Sequence, residues 1–75
     1  MKDIKEIART IAHAAPGESF KCLYLFDSTG GMIYTVGTRG NKKVLRTKSN
    51  MRGWVISGPA SVEHIIGRPY EFEPV

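Results

Sequence analysis

Two alternating segments joined by Gly40–Asn41 constrain this chain most: "MIYTVGTR", residues 32–39, and "KKVLRTK", residues 42–48. Strand side chains alternate between the faces of a sheet, so the register of this pair decides where every residue points. Gly and Asn both tolerate positive φ, which a two-residue hairpin loop requires. With that loop, Arg39 pairs with Lys42, Val36 with Leu45 and Tyr34 with Thr47. One face then carries Met32, Tyr34, Val36 and Leu45. The other carries Ile33, Thr35, Arg39, Lys42, Arg46 and Lys48. A slip of one residue would mix the two sets, so their separation supports the register.

The flanking sequence builds on this hairpin. "ESFKCLYLFD", residues 18–27, reads as a strand, and "STGG" after it as a turn. Pairing Phe26 with Met32 adds Phe20, Cys22, Tyr24 and Phe26 to the apolar face. It adds Lys21, Leu23 and Leu25 to the other. Residues 2–15 read as a helix, with Ile4, Ile7, Ala8, Ile11, Ala12 and Ala15 forming one stripe. Pro16–Gly17 ends it.

Beyond the hairpin, "SNMRG" reads as a loop and "WVIS" as a short fourth strand, with Trp54, Val55 and Ile56 in the core. Residues 59–66 read as a helix with Val62, Ile65 and Ile66 inward and Gly67 as its stop. "PYEFEPV" reads as extended, its prolines suiting an edge or a tail. The expected fold is α+β: an N-terminal helix on one face of an antiparallel sheet of three to four strands. A short C-terminal helix and an extended tail cover part of the remainder.

Seventy-five residues amount to one domain, 1–75. A chain of this size buries only about 60% of its unfolded surface, which leaves little room for an elaborate catalytic pocket. No apolar run approaches the roughly 20 residues of a membrane-spanning helix. The N-terminus mixes both charges among its apolar residues, unlike a secretory signal. Cys22 is the only cysteine, so no internal disulfide forms, and the chain fits a reducing compartment such as the cytoplasm.

Charge gives the pointer to function. The net charge is +4. Thr38 to Trp54 contains no acid and holds Arg39, Lys42, Lys43, Arg46, Lys48 and Arg52, six of the eleven Lys and Arg. A basic two-stranded ribbon can enter a major groove or track phosphates. On this reading Arg39, Lys42, Arg46, Lys48 and Arg52 contact DNA or RNA, with Thr35 and Asn41 as further donors. The competing account is that these cations guard an edge-prone hairpin against aggregation.

Leu23, Leu25 and Ile33 form an apolar patch beside the cluster, which suits docking on an acidic protein. The C-terminal Glu71 and Glu73 either lie against the basic hairpin and neutralise it, or belong to a segment that adds to a sheet edge of a second copy, giving a homodimer. No cofactor or metal motif is present: His13, His64 and Cys22 lack the paired short spacings of zinc sites. "DSTGG" is followed by a strand, whereas a phosphate-binding P-loop needs a helix and a lysine in register. With no catalytic constellation, the expectation is a binding protein and not an enzyme.

Overall fold

The computed structural model describes residues 3–25 and 31–75. Its first element, α1, is Ile4–Ala12. The Asp3 carboxylate accepts the Glu6 amide at 2.9 Å, satisfying one of the helix's orphan donors. Ile7, Ala8 and Ile11 are buried. The helix is shorter than its apolar stripe predicts, because the chain turns out at the C-cap residue His13, ahead of Pro16. Ala14 is consequently buried and Ala15 exposed. The Lys43 ammonium donates to the Ala12 carbonyl at 2.8 Å, at the negative end of the helix dipole.

The strands β1 (Ser19–Leu23), β2 (Met32–Arg39), β3 (Lys42–Thr47) and β4 (Asn50–Val55) follow; then come a helix, α2 (Pro59–Ile66), and a last strand, β5 (Glu71–Pro74). They form one antiparallel sheet in the order β4-β3-β2-β1-β5. The sheet thus has five strands, one more than the upper expectation. "SNMRG" is largely strand, and the tail adds an edge to the sheet instead of covering it.

The β2–β3 register is the predicted one, running from Thr35–Arg46 through Val36–Leu45 to Arg39–Lys42. Of the two loop residues only Gly40 has positive φ, +66°, the pattern of a hairpin turn with Gly at its first central position. The β1–β2 register differs from expectation: Cys22 faces Met32, and Phe20 faces Tyr34. The shift relative to a Phe26–Met32 pair is an even number of residues, so every β1 side chain keeps its predicted face. Phe26 and most of the "STGG" turn lie outside the described residues.

Both helices pack on the same side. Ile7, Ala8 and Ile11 of α1 and Val62 and Ile66 of α2 meet Phe20, Cys22, Tyr34, Val36, Leu45 and Ile56 in one core. Phe72 of β5 stacks on Phe20, ring centroids 5.4 Å apart. The Tyr24 hydroxyl donates to the Ile66 carbonyl at 2.6 Å and lies 3.2 Å from the Tyr34 hydroxyl. Since Tyr24 has one proton and the carbonyl takes it, Tyr34 is the donor between the two hydroxyls. Each helix C-terminus is therefore held by a side chain from the sheet layer.

Burial pushes the Cys22 thiol up to about 11, with the Tyr24 hydroxyl pulling the other way. Burial raises both tyrosines too. Of Trp54, Val55 and Ile56, only Ile56 joins the core; Trp54 and Val55 sit exposed on the edge strand. The short C-terminal helix packs beside α1, and among the described residues neither helix covers the second face of the sheet.

Candidate nucleic-acid interface

The cations are positioned by strand alternation. Arg39, Lys42 and Arg46 share the helix-free face, by the register that puts Val36 and Leu45 under the helices. Lys48 follows β3 and borders the same face, lining two depressions that Ile33 also lines. Lys42 and Lys48 are exposed.

The two arginines are held in place. Arg39 Nη1 donates to the Arg52 carbonyl at 2.7 Å and to the Gly53 carbonyl at 3.4 Å. These belong to β4, so the side chain crosses over β3 to reach them. Arg46 Nη2 donates to the Thr38 carbonyl at 2.8 Å. Its guanidinium lies over Gly37, where a Cβ would collide with Nη1. Gly37 thus makes the seat for Arg46. A guanidinium carries five N–H donors, so each arginine keeps donors for a ligand while its position is already set.

Lys43 alternates to the helix side and caps α1. It is therefore structural, although it belongs to the same basic run. Arg52 is exposed on β4, next to Gly53, whose φ of +90° marks the irregularity in the β3–β4 ladder. A Cβ on Gly53 would press on the Leu45 carbonyl and the Val44 side chain, each at 3.1 Å.

Apolar groups lie among the cations. Ile33 is 50% exposed and Met51 69%. Met51 lines one depression together with Ile33, Thr35, Arg46 and Lys48. Val55 pairs with Val44 and so faces the same way. Leu25 is 75% exposed and Leu23 half-buried. Sequence reasoning placed Val55 in the core and Met51 in a loop, because "SNMRG" carries turn-forming residues that hid the first part of β4. The available signal was their even spacing, with Gly53 between them.

The acids stand apart. Glu71 and Glu73 on β5 pair with Leu23 and Lys21 on β1, and β1 and β2 separate them from β3. They border the far edge of the sheet and do not cover the hairpin. The tail pairs with its own β1, so the segment considered for a second copy is used within this chain. From Ser28 to Val62 the sequence contains no Asp or Glu, which leaves β2, β3 and β4 without an acidic side chain.

The residues weighed as metal ligands sit in different environments: Cys22 is fully buried, whereas His13 and His64 are exposed. Among the described residues no three His, Cys, Asp or Glu side chains gather as a metal site would require, and no helix is long and apolar enough to cross a membrane. Comparison with protein-family models, curated proteins and solved structures returned no match.

Proposed function

We propose that the chain is a small, non-enzymatic nucleic-acid-binding protein that uses the helix-free face of its sheet. One observation carries this reading: Arg39, Lys42, Arg46 and Lys48 share a face that neither helix covers, on strands without acidic residues. Phosphates are the ligand groups that match a fixed array of guanidinium and ammonium donors. The expected signature is a strong salt dependence, because each neutralised phosphate releases counterions. In an oligonucleotide titration at two salt concentrations, Arg46→Glu with Lys48→Glu abolishes measurable binding while a circular dichroism melt shows the fold intact. Undiminished binding by that double variant contradicts the proposal.

A second reading is favoured by exposed aliphatics, Ile33 on the same face and Leu25 in the turn after β1, with half-buried Leu23. Mixed apolar and arginine surfaces suit the centre of a protein interface, here with an acidic partner. On that reading Ile33→Ser and Leu25→Ser remove partner binding, and no oligonucleotide binds at any salt concentration.

A further inference from the structure

The hairpin read from the sequence as a two-stranded ribbon is the middle of a five-stranded sheet, with β1 and β4 flanking β2 and β3. Strands lie about 4.8 Å apart, so five of them span roughly 19 Å before side chains are added. The major groove of a duplex is about 12 Å wide and admits a helix or a two-stranded ribbon. The basic face therefore cannot enter it. Only the Gly40–Asn41 tip would fit, which brings Arg39 and Lys42 to the groove. At about 3.4 Å per residue, Lys48 then stays roughly 20 Å away along β3.

A duplex laid against the outside of this face is a poor match too. It presents phosphates and sugars and keeps the faces of its bases stacked inside. Ile33 and Met51, which share a depression with Arg46 and Lys48, would then lie against charged backbone. The pattern on the protein is cationic and apolar within one strand spacing. Its complement is a ligand that offers anionic and apolar groups at the same short interval, as a single strand with unstacked bases does.

Resting on the nucleic-acid reading above, we infer that the ligand is single-stranded nucleic acid laid across the open face. Its bases turn down onto Ile33 and Met51, in the depressions beside Ile33. Its phosphates meet Lys42, Arg46 and Lys48. No aromatic side chain of the described strands faces this side, so the bases rest on aliphatic groups and the held guanidinium of Arg46. Sequence preference is accordingly weak.

The test is fluorescence anisotropy with labelled oligothymidine of about 12 nucleotides and a hairpin duplex of the same charge. Both are titrated at about 50 and about 200 mM salt. The single strand is expected to bind about tenfold tighter than the duplex. Met51→Ser, on an exposed edge position, weakens the single strand about threefold and leaves its salt slope unchanged. Lys48→Gln reduces that slope by about 0.7. Duplex binding as tight as single-strand binding overturns this inference and leaves the proposed function standing. Binding of neither at the lower salt overturns both. A Met51→Ser variant that folds and binds the single strand as tightly as the parent removes the bases from the apolar face, and the inference with them.

Discussion

Gly37 and Gly53 are both glycines in strands near Arg46, yet they serve different ends. At Gly37 the backbone is ordinary and the obstacle to a side chain is the tip of Arg46, which can swing away. At Gly53 the φ of +90° disfavours any L side chain, and the nearby obstacles include the Leu45 carbonyl. Gly53→Ala is therefore expected to cost about 1–2 kcal/mol in urea unfolding. Gly37→Ala is expected to change stability by less than about 1 kcal/mol. It displaces the Arg46 guanidinium all the same, and so weakens oligonucleotide binding. Equal stability losses for the two variants would contradict this division. The same scale separates the cations: Lys43 serves a helix end, whereas Lys42 beside it faces solvent. Composition alone treats these neighbours as equal.

At the scale of elements, α2 is tied to the sheet by a chain of two hydroxyls. Tyr34 donates to Tyr24, and Tyr24 to the last carbonyl of the helix. Tyr24→Phe removes the bond to Ile66 and leaves the Tyr34 hydroxyl without its acceptor, at an expected cost of about 1–3 kcal/mol. Adding Tyr34→Phe then costs little more, since the stranded hydroxyl goes with it. A double-mutant cycle in urea checks this; strictly additive losses would show that the hydroxyls act separately.

The sequence makes some of this element layer readable and hides the rest. Alternation alone assigns the faces of β2 and β3, and a helix stripe with its stop signals places α2 at its observed residues. The β1 register was misjudged by an even step, which is why its faces survived. The fourth strand was read only from Trp54 on, and the first residues of β4 escaped notice because Asn50, Arg52 and Gly53 look like turn residues. The ends of the long side chains were not legible either. Where Arg39 comes to rest depends on a β4 carbonyl brought near by the fold, and Lys43 on the end of a helix distant in sequence.

At the scale of the whole molecule, three weakly acidic groups sit in the helix–sheet layer: Cys22, Tyr24 and Tyr34. Folding raises all three, chiefly through burial. In the unfolded chain the thiol ionises near its ordinary 9.0 and the phenols near 10.0, while in the fold the thiol holds its proton to about 11. Above pH 9 the unfolded state therefore binds fewer protons than the folded one, and stability falls as pH rises. The thermal midpoint is expected to stay level through neutral pH and to decline steadily from pH 9 towards 11. Cys22→Ala makes the onset of that decline later. A midpoint unchanged up to pH 11 would argue against buried, protonated groups in this layer.

The pairing of β5 with β1 also bears on how the molecule is made. Of the five described strands β1 is the earliest to leave the ribosome, and the strand that closes its outer edge is the latest. Until residue 72 is added, a nascent chain holds Phe20 and Cys22 ready but lacks Phe72 to cover them. The sheet can be completed only after residue 74 has cleared the exit tunnel, and a product stalled or released before that point carries an open, sticky flank.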